Sequence, residues 1–191
     1  MTVAQENKIL NDAEKILSLI KKRPCIIALD GRCAAGKSTL ASVMKKEFGA
    51  TVFHMDDFFL LPQMRTAERF ASPGQNVDHE RFLKEVLLPL SRGESFSYKP
   101  YECFASCFGK EIFCTPAQIS VVEGVYSCRP ELRKFYDLCV FADIDKDEQK
   151  NRILLRNADK AQMFFSKWIP LEEEYFDAFR IKENADLVLQ N

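Results

Sequence analysis

The apolar positions of this chain recur with two different periods, and the alternation between them predicts its layout. Over residues 5–21, Ile9, Ala13, Ile16, Leu17 and Ile20 fall at helical spacing, and Lys21, Lys22, Arg23 and Pro24 then break the pattern. Cys25-Ile26-Ile27-Ala28-Leu29 follows as an unbroken apolar run between Pro24 and an Asp30-Gly31 turn, which predicts a strand buried on both faces. Four more such runs are Thr51 to Met55, Ile119 to Val122, Leu138 to Ala142 and Leu187 to Leu189. Helical patterns over 37–47, 78–91, 146–157 and 170–183 alternate with them. Strands that take turns with helices predict an α/β fold on a five-stranded parallel sheet flanked by helices.

Two stretches interrupt the alternation. Residues 57–77 are polar, carry Pro62 and Pro73-Gly74, and are long for a structureless connection, so a functional or mobile segment is expected there. Residues 95–116 hold two short runs, Ser97 to Tyr101 and Glu111 to Cys114, around a segment containing Gly109, which predicts a protruding hairpin. No repeat or low-complexity tract appears, and 191 residues suit one domain spanning 1–191.

Composition removes several functions from consideration. Lys and Arg number 27 against 28 Asp and Glu, a net charge of −1, so no basic field exists to hold a nucleic-acid polymer or an anionic membrane. The first residues, MTVAQENKIL, lack a basic segment followed by an apolar one, and nowhere do 18 apolar residues run together, so a cytoplasmic protein is expected. Seven cysteines form an odd set without a C-x-x-C pair, which predicts free, buried thiols. Cys103, Cys107 and Cys114 have no fourth Cys or His nearby to complete a zinc site.

The strongest chemical signal is Gly31-Arg32-Cys33-Ala34-Ala35-Gly36-Lys37-Ser38-Thr39, which matches G-x-x-x-x-G-K-[ST] between a predicted strand and a predicted helix. Glycines let such a backbone curl until its N–H groups face a phosphate chain at a helix N-terminus. Lys37 would reach the β- and γ-phosphates and Ser38 would ligate magnesium. Cys33, inside that loop, is expected to have a lowered thiol pKa.

Carboxylates converge on the same rim. Val122-Glu123-Gly124 closes a buried strand, and ligands of open α/β sheets sit at the carboxyl ends of strands, so Glu123 is a candidate magnesium or water ligand. His54-Met55-Asp56-Asp57-Phe58-Phe59 closes another, and strand alternation would send Asp56 and Asp57 to opposite sides, one of them toward a hydroxyl acceptor. His54 reads most simply as a packed strand histidine. Asp78, before His79-Glu80-Arg81, reads as a helix N-cap that could also contact a ligand. Many of the sixteen Phe residues, among them Phe58, Phe59, Phe96, Phe104, Phe108 and Phe113, cluster in or near this region.

With these motifs the chain resembles, nearly end to end, the uridine kinase and phosphoribulokinase group of P-loop kinases. Met55-Asp56-Asp57-Phe58-Phe59 resembles that group's acceptor motif, which implies Asp56 as general base. Asn76-Val77-Asp78-His79 is similar to the segment whose aspartate holds ribose hydroxyls, and Tyr98 to Tyr101 to the strand presenting an aromatic ring to a nucleobase. The resemblance thus assigns Asp78, Tyr101, Phe59 and Phe104 to the acceptor, Ser38 and Glu123 to magnesium, and phosphate-clamping arginines Arg152 and Arg156 to a lid over 152–168. Trp168 to Phe176 and Ala185-Asp186-Leu187-Val188 resemble a bacterial uridine-kinase-like branch.

Two segments depart from the group. Cys103-Phe104-Ala105-Ser106-Cys107 stands where a histidine usually follows the hairpin tyrosine, and Arg156-Asn157-Ala158-Asp159-Lys160 stands for an Arg-Asp-x-x-x-Arg-Gly lid pattern. The resemblance implies strand order 2-3-1-4-5, ATP or another nucleoside triphosphate, Mg2+, and phosphorylation of a small-metabolite hydroxyl, with a nucleoside such as uridine favoured. Another small sugar or alcohol acceptor, or a regulatory protein that binds nucleotide without transfer, are the rival readings. Self-association into a homo-oligomer stays open.

Overall fold

The computed structural model describes residues 2–103 and 105–191. Among the described residues, nine strands and a set of helices follow the predicted alternation. The strands are β1 (Cys25–Gly31), β2 (Thr51–His54), β3 (Phe96–Tyr98), β4 (Tyr101–Glu102), β5 (Cys107–Phe108), β6 (Ile112–Cys114), β7 (Ile119–Glu123), β8 (Leu138–Asp143) and β9 (Leu187–Gln190).

Five strands form one parallel sheet in the order β2-β7-β1-β8-β9, the expected 2-3-1-4-5. Its middle strands β7, β1 and β8 are buried along their whole length, as continuous apolar runs require when helices cover both faces. Successive residues feed opposite layers. Ile26, Ala28, Val122, Cys139 and Phe141 join one core with Phe53, Phe82 and Phe176, whereas Ile27, Leu29, Val121 and Val140 join another with Ile16, Leu40 and Met44. β2 and β9 take the edge places that this order gives them, each with one neighbour, but they are only partly covered, unlike the strand buried on both faces that an apolar run predicts. An apolar run of four or five residues does not tell an edge strand from a central one.

Local chemistry sets the element ends. Helix α1 (Val3–Ser18) begins with a capping box in which Thr2 Oγ1 accepts from Gln5 N–H and Gln5 Oε1 accepts from Thr2 N–H. Helix α2 (Lys37–Phe48) stops at Gly49, whose φ of +68° suits a residue without a Cβ. The 57–77 stretch is built from short turns, Pro62–Met64 and Ala67–Phe70, the second capped by Thr66. The 95–116 insertion is the expected hairpin, with β3 antiparallel to β6 and β4 antiparallel to β5. The last long helix runs Ile169–Phe179 rather than 170–183, ending where Arg180 turns left-handed at φ +51°. Among the described residues no helix is long and apolar enough to cross a membrane.

Candidate active site

The phosphate loop leaves β1 at Gly31, where φ is +129° and a Cβ would come within 2.0 Å of the Ala142 carbonyl oxygen. Only glycine lets the loop lie this close to β8. Gly36, at φ +88°, opens α2. Lys37 is nearly buried, its Nζ donating to the carbonyls of Gly31 at 2.7 Å and Arg32 at 2.9 Å. These acceptors are neutral, so the ammonium can move to a phosphate without breaking an ion pair.

Ser38, next along α2, meets Glu123 from the end of β7: Ser38 Oγ donates to the carboxylate, 3.2 Å from each oxygen. His54 Nδ1 lies 2.6 Å from Glu123 Oε1. Its hydrogen bond to Glu123 raises the imidazole pKa. His54 is therefore not packed in the strand as expected; with a side chain 46% exposed, it stands at the rim against Glu123.

Asp56 and Asp57 also depart from the expected geometry. They lie in a 3-10 turn, Met55–Phe58, rather than at a strand end, so turn geometry rather than strand alternation separates them. Asp56 faces the cavity above the loop, and burial together with Glu123 raises its carboxyl pKa. Asp57 points into the hairpin, where it accepts from Tyr98 Oη at 3.2 Å.

The cavity over the loop holds about 670 Å³ and is walled by Cys33, Ala34, Gly36, Lys37, Ser38, Thr39, Asp56, Phe59, Glu123 and Arg156 among the expected residues. Others stand apart from it. Arg32 turns its side chain outward, with Nε and Nη2 donating to Glu173 at 2.7 and 2.8 Å and Nη1 donating to Asp143. Arg152 donates to Glu148 and to the Ala34 carbonyl, bracing the loop from outside. Ala35 is fully buried. Asp78 is the N-cap, accepting Arg81 N–H at 3.0 Å, and Tyr101 is 4% exposed with its ring against Phe108; neither is on the cavity wall. Phe104 lies outside the described residues.

Cys33 corrects the expectation of an activated thiol. Burial and the neighbouring Glu172 push its pKa up to about 12, because the side chain turns inward to Gln149, whose Nε2 is 3.3 Å from Sγ. All seven cysteines are free, but Cys103 and Cys107 are exposed rather than buried.

Arg65 and Phe70, which no sequence motif singles out, close the far side of the cavity together with Asn76, Cys103, Lys167 and Trp168, to which the sequence assigns no individual site role. Behind the loop, Asp30 is completely buried and accepts from Gly31 N–H, Cys128 N–H and Tyr175 Oη at 2.7 to 2.8 Å. A carboxylate ending an apolar run was its available signal. Glu172 accepts Cys33 N–H at 3.0 Å and is also part of the wall. Its signal was subtler: Ile169, Glu172, Phe176 and Phe179 form one helical stripe, with an acid in the second place.

Comparison with known proteins agrees with this architecture. No protein-family model matches the chain. It is 24% identical over 149 residues to a uridine kinase of Clostridium perfringens, covering 73% of this chain and 71% of the relative. It is 28% identical over 145 residues to a uridine kinase of Clostridium novyi, covering 71% and 69%. Among solved structures, a protein described as a possible uridine kinase from Bacillus stearothermophilus superposes with a TM-score of 0.76 at 21% identity, covering 98% of this chain and 100% of that one. D-glycerate 3-kinase from Cryptococcus neoformans shares the fold at a TM-score of 0.57 and 14% identity, covering 100% and 96%. This chain thus has the fold of these kinases and is similar in sequence to proteins named uridine kinase.

Proposed function

We propose that the protein transfers the γ-phosphoryl group of ATP, with Mg2+, to a hydroxyl of a small metabolite, and that a nucleoside such as uridine is the acceptor. The observation that carries this reading is convergence: Lys37 and Ser38 from α2, Glu123 from β7 and Asp56 from the turn after β2 share one cavity. The loop amides and Lys37 would hold the triphosphate and neutralise charge that grows on the moving phosphoryl group. Ser38 Oγ and Glu123 together offer hard oxygen donors, a set that fits Mg2+ with water completing its shell. Bound there, the ion supplies charge neutralisation at the phosphates.

Asp56 would accept a hydrogen bond from the acceptor hydroxyl and orient it in line; its raised pKa brings it closer to a useful base. Arg156 sits on the same wall and would meet the phosphates, while Arg152 acts through its hold on the Ala34 carbonyl. Phe59, Phe70 and Trp168 give the far wall apolar faces that suit a flat ring. The relatives named uridine kinase support a nucleoside. The second reading, a non-nucleoside sugar or alcohol, is favoured by the absence of Asp78 and Tyr101 from the wall.

ADP release, followed with Mg-ATP across a panel of nucleosides, sugars and small alcohols, tests both readings. Turnover is expected with uridine or a related nucleoside and should be lost in Lys37→Ala. Turnover with a sugar or alcohol alone would replace the acceptor, and ATP binding without turnover on any acceptor would favour the regulatory protein.

A further inference from the structure

One helix holds the phosphate loop from behind. Within Ile169–Phe179, Glu173 grips Arg32, Tyr175 donates to Asp30, and Glu172 accepts Cys33 N–H. Of these three, Glu172 alone also faces the cavity, and it is 6% exposed. It thus combines two properties. It fixes a backbone amide of the loop, and it sets a carboxyl group inside the enclosure where a triphosphate would bring more negative charge.

The groups around Glu172 pull in both directions. Lys37 favours its ionised form, as does the Cys33 N–H; Asp30, at the end of β1, opposes ionisation. The Cys33 thiol and the Tyr126 hydroxyl both sense its charge and are held neutral. Arg32 is occupied by Glu173 and Asp143 on the outer side. Burial is the largest influence, and the balance pushes the Glu172 carboxyl up to about 7. A polyphosphate, still net negative with magnesium, would disfavour the carboxylate further.

Resting on the kinase reading of this cavity, we propose that Glu172 is a positioning residue for the phosphate loop that takes up a proton when the nucleotide binds. In the free protein its carboxylate accepts Cys33 N–H. On binding, one proton from solvent converts the carboxylate to the acid, whose carbonyl oxygen still accepts Cys33 N–H. No bond to phosphorus forms or breaks in this step.

Calorimetric titration of the full chain with Mg-ATP, in buffers of different ionisation enthalpy at matched pH, counts the protons. At pH 7, binding to the wild type should take up about half a proton more than binding to Glu172→Gln. As pH rises from 7 to 8.5, wild-type affinity should fall by up to about tenfold per unit relative to that variant. Glu172→Gln keeps an acceptor for Cys33 N–H and should retain the melting temperature, whereas Glu172→Ala should weaken ATP binding at every pH. An equal proton count in wild type and Glu172→Gln would overturn the proton coupling, and equal ATP affinity in the Gln and Ala variants would overturn the positioning role. Both results leave the kinase reading standing; no binding heat with Mg-ATP in the wild type would instead overturn that reading and this proposal together.

Discussion

Ser38 and Glu123, 85 residues apart in the chain, meet so that the hydroxyl lies 3.2 Å from both carboxylate oxygens. A hydroxyl and a carboxylate are thereby brought together beside the phosphate loop. Each comes from an element with little freedom: Ser38 from the first turn of α2, Glu123 from the end of a fully buried strand.

Glu123→Gln keeps the shape of this pair and removes its charge. The variant is expected to lose about 10²-fold or more in kcat and to need more Mg2+ for half-maximal rate. Rates measured across a magnesium titration check this, and an unchanged magnesium requirement would remove Glu123 from the metal site.

Asp56→Asn should lower kcat by roughly 10²–10⁴-fold with little change in ATP affinity, as expected for loss of a positioned base. Asp57→Asn should leave chemistry nearly intact and cost about 1 kcal/mol of stability through the weakened Tyr98 hydrogen bond. Kinetics and urea melts on the two variants distinguish these roles, and reversed outcomes would exchange the two aspartates.

Thiol labelling should follow exposure rather than proximity to the helix N-terminus. Cys103 and Cys107 should react first under native conditions, and Cys33, with its pKa pushed up to about 12, should stay unmodified until the protein unfolds. Peptide mapping after brief alkylation reads the order directly. Early modification of Cys33 would contradict its burial against Gln149.

Asp143 links three elements by accepting from Arg32, Lys182 and Ile144 N–H. Burial would raise its pKa, but these partners outweigh burial and hold the carboxyl below its usual 3.8. A lowered folded pKa means stability that is fully present above about pH 4 and lost as pH falls through the folded value. Asp143→Asn should cost about 1–2 kcal/mol at pH 6, since the Lys182 partner is half exposed and screened by solvent, and flatten the acid side of the stability curve. Urea melts between pH 2 and 6 test it, and parallel curves for the two proteins would refute the linkage.

The parts most legible in the amino-acid order were those dictated by one strong local rule. Unbroken apolar runs marked β1, β7 and β8, and Gly31, Gly36, Lys37 and Ser38 marked the loop, because backbone curvature and phosphate chemistry demand those residue types. Legibility failed where partners are distant. The partial burial of β2 and β9 depends on what the sheet places beside them, and Cys33 turns inward because of Gln149 and Glu172, more than a hundred residues away. Asp56 and Asp57 do point to different sides, as expected, but a 3-10 turn rather than the alternation of a strand separates them.

The rear support of the loop has a consequence for how the chain matures during synthesis. Asp30 waits for Tyr175, 145 residues downstream, while Arg32 and Cys33 wait for Glu173 and Glu172. At roughly 5–20 residues per second, that is a delay of roughly 7–30 s between translating the loop and translating its backing. During this interval the nascent chain carries the nucleotide motif without the wall that shapes it. The contacts that brace the loop from behind therefore form late, once helix Ile169–Phe179 docks.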